Sequence, residues 1–409
     1  MGTQFTDQLS AVYEGELLKA MSKLQLIATC PMGLESILAR EVRDLGYEDL
    51  FVENGRITFA ADESGICRAN LWLRTADRVL VKMGEFAADT FDALFEGTKA
   101  LPWAEWLPEN AEFPVEGRSH KSQLSSVPAC QGIVKKAIVE SLKQRYRTEW
   151  FPENGARFVV EVALLDNVAT LTLDTTGAGL HKRGYRKLVT EAPLKETMAA
   201  ALILISRWRP ERPLYDPFCG SGTIPIEAAM IGMNLAPGLR RRFNAEGWPT
   251  VPASLWQTAR EEAIDLARYD EPLDIVGSDI DAAALEVARA AAKSAGLADE
   301  LRFVQAPVIK ARPRGDYGCL ITNPPYGERL GDAEEVERVI RQLGTVAAGL
   351  GTWSFFALSP SRQFEHYFGR PADKRRKLFN GRIECQFYQY FGPGGIYPSR
   401  KKQEELEGR

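Results

Sequence analysis

From Lys23 the chain alternates in a strand-helix-strand rhythm: LQLIATC, then MGLESILAREVRDLG, then FVENGRITFAA. Leu34, Ile37, Leu38 and Val42 recur at helical spacing. Gly46 is placed to end that helix, and Asn54-Gly55 is a hairpin signal ahead of GRITFAA. The pattern predicts a small α+β unit over residues 23–66, preceded by a short helical extension over residues 1–22.

Residues 67–180 predict a second mixed unit. Pro128 follows Ser125 and Ser126 and opens the run ACQGIVKKAIVESLKQRYR. At about 100° per residue, Cys130, Ile133, Val134, Ala137, Ile138 and Leu142 share one half of the wheel, while Lys135, Lys136, Lys143 and Arg147 lie opposite. Beyond this helix, RFVVEVALL, an Asp166-Asn167 turn and VATLTLDT read as a hairpin.

The third unit, residues 181–393, changes rhythm. Five strands, PLYDPF, DIVGSDI, LRFVQA, YGCLITN and WSFFALS, alternate with helical stretches such as IPIEAAMIG and DAAALEVARAAAKSAG. Asp281 is placed to cap the latter helix and Gly296 to close it. Such alternation predicts an α/β fold with a doubly wound, mostly parallel sheet. The end departs from the dinucleotide-binding pattern, because KRRKLFNGRIECQFYQYF carries Asn380-Gly381 between two β-rich runs and predicts an antiparallel hairpin. Residues 394–409 are polar and Gly/Pro-rich, which predicts a disordered tail.

Composition then narrows the class. The chain has 409 residues, enough for two or three domains, and no apolar run long enough for a membrane span. Its six cysteines form no C-x-x-C pair and have no neighbouring histidine at zinc spacing, so reduced thiols in the cytoplasm and no structural metal are expected. Net charge is −4, yet basic residues cluster locally. Between Glu116 and Arg147 there are seven basic residues against two acids, and HKRGYRK, 181–187, carries four basic side chains and no acid. Basic patches on a mildly acidic chain fit limited contact with a polyanion. Lys121, Lys135, Lys136, Lys143, His181, Lys182, Arg183 and Arg186 are the candidate contacts, although for His181 linker packing fits equally well.

Three motifs end successive strands. In DPFCGSGTIPIEAA, Asp216–Ala229, a strand runs into a Gly-rich turn and a helix. Gly220 and Gly222 would let the backbone approach a ligand. The loop lacks the third glycine of the NAD fingerprint and the G-K-[ST] of a P-loop, and Asp216 suits a cationic or hydroxyl-bearing ligand better than a pyrophosphate. In GSDID, Asp279 is placed to accept ribose hydroxyls. Between these two motifs an insertion, roughly residues 233–271, must intervene. Third comes NPPY, Asn323–Tyr326, at the crevice end of the fourth strand.

These motifs in this order resemble the class I S-adenosylmethionine-dependent methyltransferases of the amino-methylating branch. With SHKSQLSS, GLHKRGYR and EAPLKETMAAAL, the chain resembles the THUMP-domain ribosomal RNA guanine-N2 methyltransferases, the RlmL-like family, over residues 23–392. The resemblance implies a ferredoxin-like unit (23–66), a THUMP RNA-binding unit (67–180) and a Rossmann-like catalytic domain with a seven-stranded sheet (181–393). It implies S-adenosylmethionine held by Asp216, Cys219, Gly220, Ser221, Gly222, Asp279, Ile280 and Asn323, and a catalytic turn of Asn323, Pro324 and Tyr326. It also implies 23S ribosomal RNA or a large-subunit assembly intermediate as partner, with a monomer favoured. One position departs: Pro307 stands where this family often has an Asp for the adenine amine, leaving adenine to backbone groups or Gln305.

The chemistry of the turn follows from the substrate. An exocyclic base amine is a poor nucleophile because its lone pair is delocalised into the ring. The Asn323 side-chain carbonyl and Pro324 backbone carbonyl can each accept one amine hydrogen, pyramidalising the nitrogen with the reacting atoms about 3–3.5 Å apart. Tyr326 can stack on an extruded base. Glu328 and Arg329 can orient the base or pair with each other. NPPY also serves tRNA guanine, adenine N6 and protein glutamine, and a non-catalytic RNA-binding or ribosome-assembly protein is the remaining alternative.

Overall fold

The computed structural model describes residues 24–186, 194–326 and 333–393. The expected N-terminal helical extension, Lys187, the pair Glu328 and Arg329, and the tail from residue 394 lie outside the described residues. The chain divides into two compact units whose boundaries do not follow the sequence linearly. One contains residues 24–29, 38–180 and 242–262; the other contains 30–37, 181–241 and the described residues from 263 onward.

The first unit is built on one seven-stranded sheet, ordered β2-β3-β1-β4-β7-β6-β5. Its strands are β1 (Leu24–Thr29), β2 (Leu50–Glu53), β3 (Arg56–Ala61), β4 (Arg78–Ala87), β5 (Val115–His120), β6 (Val159–Leu165) and β7 (Val168–Asp174). The predicted break at residue 66 does not divide this sheet. Strand β4 pairs with β1 through Arg78–Val81 and with β7 through Leu80–Ala87, so one strand serves both predicted units. Both predicted turns form: Gly55 takes φ 74°, and Asp166 and Asn167 take φ 49° and 63°, the pair of positive values a tight hairpin needs.

The helices in chain order are α1 (Glu35–Asp44), α2 (Glu63–Trp72), α3 (Phe91–Lys99), α4 (Trp103–Trp106), α5 (Val127–Tyr146), α6 (Glu196–Ser206), α7 (Thr223–Gly232), α8 (Ala253–Asp265), α9 (Ala282–Ala295), α10 (Ala333–Ala348) and α11 (Phe364–Phe368). On α5 the predicted apolar face is buried through Cys130, Val134, Ala137, Ile138 and Leu142.

Segment 242–262 is more than an insertion. Trp248, 2 % exposed, stacks on Phe158 at 4.6 Å and meets Trp106 edge-on at 6.0 Å, and its indole Nε1 donates to the Arg157 carbonyl at 2.9 Å. Buried aromatic rings of this size dominate core energetics, provided the indole N–H finds a partner. Arg68 and Glu262 add a two-point pair at 3.0 Å for each contact.

The second unit holds the other seven-stranded sheet, ordered β10-β9-β8-β11-β12-β14-β13. Strands β8 (Leu214–Asp216), β9 (Ile275–Asp279), β10 (Leu301–Gln305), β11 (Cys319–Thr322) and β12 (Ser354–Ser359) run parallel, while β13 (Lys374–Asn380) and β14 (Ile383–Tyr390) close the sheet as an antiparallel hairpin. One rung of side chains, Val276, Tyr215, Leu320, Phe355 and Tyr390, enters a buried cluster with Ile340 and Leu343 of α10 and Phe364 and Phe368 of α11. Burying such side chains contributes roughly 1.5–3 kcal/mol each. The order reverses between β8 and β11, and a reversal of this kind opens a crevice at the strands' carboxyl ends.

Candidate active site

Asp216, Asp279 and Asn323 stand at the carboxyl ends of β8, β9 and β11. They line one cavity of about 580 Å³, together with Cys219, Gly220, Ser221, Ile280 and Pro325. Asp216 is 1 % exposed and accepts hydrogen bonds from Thr322 Oγ1 at 2.6 Å and the Phe218 amide at 3.1 Å. Burial pushes its carboxyl up to about 7; the nearby Asp279 charge adds to this and the two hydrogen bonds oppose it. A carboxyl so placed is poised to ionise when a cation arrives.

Asp279 spends one oxygen on the Gly220 amide (2.9 Å) and the other on the Asp281 amide (3.0 Å). An ionised carboxylate has about four acceptor positions, so it braces the loop and keeps capacity for two hydroxyls. Asp281 caps α9, accepting from the Ala283 amide at 2.8 Å, and Gly296 at φ 75° ends that helix, both as the sequence predicts.

The two loop glycines differ. Gly220, at φ 51°, lines the cavity, and a Cβ there would meet no atom within 4 Å. Gly222, at φ 79°, is buried and does not line the cavity; a Cβ would press on Ala288 and the Phe303 ring at 3.0–3.1 Å. Gly220 is therefore the loop glycine left open to a ligand, while Gly222 serves internal packing, which corrects the expectation of ligand contact at Gly222. Burial, reinforced by the charges of Asp216 and Asp279, pushes the Cys219 thiol well up, so it is an inert wall residue rather than a nucleophile.

At the NPPY turn, Asn323 Oδ1 is buried and has no hydrogen-bond partner. Pro324 is buried, Pro325 lines the cavity, and Tyr326 is half-buried and outside the cavity lining. Pro307, with Val308 and Ile309, forms the wall beside Ile280, whose side chain is 70 % exposed. Gln305 does not line the cavity, because its amide Nε2 donates to the Ile280 carbonyl at 3.1 Å; of the two options for adenine, the backbone remains.

The HKRGYR segment is corrected more strongly. Arg183 is 3 % exposed and bonds Glu227 through Nε and Nη2 at 3.3 Å each, with Tyr185 donating to the same carboxylate at 3.2 Å. Burial penalises its charge, and Glu227 more than offsets that penalty. Arg186 bonds Thr223 Oγ1 and the Leu194 carbonyl, and pairs with Glu196 at 3.5 Å. Neither arginine is available to a phosphate, since both brace the floor beneath α7. Burial and the cations around it push His181 down to about 4, so it is neutral at neutral pH. Lys182 stays exposed.

On α5, Lys135 pairs with Glu153 at 2.7 Å over the Phe113 ring, and Lys143 pairs with Glu140 and Glu149. Lys121 and Lys136 are exposed. The sequence missed Glu335, Arg338 and Gln342 of α10, which line the cavity. Their i, i+3, i+7 spacing was the available signal. It also missed Asn380, whose amide Nδ2 donates to Tyr326 Oη at 2.6 Å.

A crevice of two acids, one close-approach glycine and an unpaired amide carbonyl, on a parallel sheet with a terminal hairpin, defines a class I methyltransferase domain. Models of three families match the chain in succession: the RlmL ferredoxin-like domain over residues 25–80, the THUMP domain over 88–174 and the RMKL-like methyltransferase domain over 183–389. The protein called "Putative RNA methyltransferase YpsC" of Bacillus subtilis is 51 % identical over 386 residues, spanning 94 % of this chain and all of its own. A solved structure described as "a predicted N6-adenine-specific DNA methylase" from Listeria monocytogenes is 52 % identical, with a TM-score of 0.88 over 92 % of this chain and 98 % of that one. SMU.472, crystallised with SAH, is 46 % identical, with a TM-score of 0.87 over 91 % and 98 %. The chain belongs to the RMKL-like methyltransferase family with an RlmL ferredoxin-like domain and a THUMP domain.

Proposed function

We propose that this protein transfers a methyl group from S-adenosylmethionine to the exocyclic N2 amine of a guanine in 23S ribosomal RNA. In this reading it works as a monomer in the cytoplasm, on RNA or a large-subunit assembly intermediate. The observation carrying the chemistry is the buried, unpartnered Asn323 Oδ1 in a cavity shared with Asp216 and Asp279. An orphaned acceptor is costly to keep, typically about 1–3 kcal/mol, unless a ligand satisfies it. RNA as substrate is supported by the THUMP match and by the name of the Bacillus subtilis relative. Guanine N2 rests on the RlmL-like resemblance and on the ferredoxin-like match.

The cavity residues fit S-adenosylmethionine, which supplies an electrophilic methyl group on a sulfonium. Asp216 faces the cationic methionine end, Gly220 clears the backbone for it, and Asp279 accepts the ribose hydroxyls. Ile280 and Ile309, exposed at 70 % and 37 %, offer apolar faces to the adenine, with backbone groups beside Pro307 reading its edge. Asn323 Oδ1 accepts one amine hydrogen and the Pro324 carbonyl the other, which turns the nitrogen lone pair toward the methyl group. Tyr326 stacks on the extruded base. No strong base is required before transfer, because the cationic product loses its proton readily. Exposed Lys121, Lys136 and Lys182 meet phosphates.

Nucleoside mass spectrometry on separated 23S, 16S and tRNA fractions from a strain lacking the gene tests the reading. Loss of N2-methylguanosine from 23S RNA is expected. Unchanged N2-methylguanosine there, with loss of N6-methyladenosine or of a tRNA nucleoside instead, would overturn it.

A further inference from the structure

The base platform of the catalytic turn is held from outside the turn. In the hairpin β13–β14, Leu378 lies opposite Cys385 and Asn380 opposite Ile383. Leu378 and Cys385 are 0 % and 1 % exposed, so this face of the hairpin is packed; Asn380, two residues beyond Leu378, shares it. Asn380 Nδ2 donates to Tyr326 Oη at 2.6 Å, and the Tyr326 hydroxyl bonds the Cys385 side chain. One phenol oxygen is thus gripped by residues from both strands.

We infer that Asn380 is a positioning residue, which together with Cys385 fixes the plane of the Tyr326 ring against which the substrate base is held. Pro324 and Pro325 restrict the backbone φ leading into Tyr326, leaving the ring's two side-chain torsions as its main freedom. Tethering the hydroxyl at the far end of the ring removes both. A stacking surface is useful only if its plane is set before the base arrives, since ordering it on binding would weaken association. The hairpin tip beyond Asn380 has the features of a substrate rim: Arg382 is exposed and Ile383 is 48 % exposed. The inference rests on the proposed role of Tyr326 as a stacking platform.

The test is a double-mutant cycle on the full chain. The readout is tritiated methyl transfer from S-adenosylmethionine into total RNA from a strain lacking the gene, with calorimetry following cofactor affinity. Tyr326→Phe and Asn380→Ala are each expected to lower kcat/KM for RNA about fivefold, the scale of one hydrogen bond. The double variant should be no worse than either, and cofactor affinity should hold within about twofold. Asn380→Leu roughly keeps the volume but can neither donate to nor accept from the Tyr326 hydroxyl, so it should behave like Asn380→Ala and not like the wild type. Multiplying effects in the double variant, or wild-type rates in both Asn380 variants beside a crippled Tyr326→Ala, would overturn the positioning role while leaving the platform in place. A fully active Tyr326→Ala would remove the platform, and the positioning role with it.

Discussion

Thr322 Oγ1 donates to Asp216 Oδ1 at 2.6 Å, joining the residue just before the NPPY turn to the acid that ends the neighbouring strand β8. The bond lets a nearly sealed carboxyl ionise near neutrality. On the proposed role of Asp216 it should also couple cofactor capture to pH: a cation facing Asp216 stabilises the carboxylate, so binding would release a proton below about pH 7. S-adenosylmethionine affinity is expected to fall as pH drops through 7, approaching tenfold per unit. Calorimetry in buffers of different ionisation enthalpy would read the released proton. Thr322→Val should move the inflection upward, and Asp216→Asn should flatten it. In the ligand-free protein the same group acts on stability. Its folded pKa lies above the ordinary 3.8, so its contribution is fully present below 3.8 and is lost as pH rises through about 7.

Asn323→Ala removes the orphaned acceptor without touching Asp216 and Asp279, the acids proposed to hold the cofactor. Turnover should fall by about 10²–10³, the usual scale for one preorganised hydrogen-bonding group, while cofactor affinity stays within a few-fold. A single-turnover assay run beside calorimetry separates the two; normal turnover would take Asn323 out of the mechanism.

Gly220 and Gly222 should fail differently on substitution. Gly220→Ala points its methyl into the cavity, so cofactor affinity should drop with a modest loss of thermal stability. Gly222→Ala presses on Phe303, so melting temperature should fall first. Equal effects on both readouts would refute the separation.

Exposed and buried cations should likewise divide. Lys121→Ala and Lys136→Ala should each lower the salt slope of RNA binding by about one and leave melting unchanged. Arg183→Ala strands Glu227 as a buried unpaired charge, at a cost of about 3–5 kcal/mol. It should therefore lower the unfolding midpoint in urea before it changes any salt slope.

Much of the catalytic unit was legible because its signals are local. A cap such as Asp281, a terminating Gly296 and an Asn380-Gly381 turn act within a few residues, and period-two and period-3.6 patterns mark the elements between them. Asp216, Asp279 and Asn323 were legible for the same reason, the first two ending their strands and the third following directly on its own. What escaped was decided by distant partners. Nothing near Arg183 announces Glu227, 44 residues away, so a burial pair read as a basic patch. Asn380 looked like turn chemistry, because its partner Tyr326 lies 54 residues back. The boundary at residue 66 failed because β4 pairs on both edges, which no run of residues declares.

The cluster of Trp106, Phe158 and Trp248 bears on how the chain acquires its first unit during synthesis. All seven strands of that sheet have been made once Asp174 has emerged, yet the ring that stacks on Phe158 and meets Trp106 comes from residues 242–262. At roughly 5–20 residues per second, the sheet waits several seconds with an open aromatic socket while the first strand of the next unit is translated. A fragment cut at residue 180 would carry that socket permanently. It should bind hydrophobic dyes, aggregate, and gain solubility from a peptide spanning 242–262.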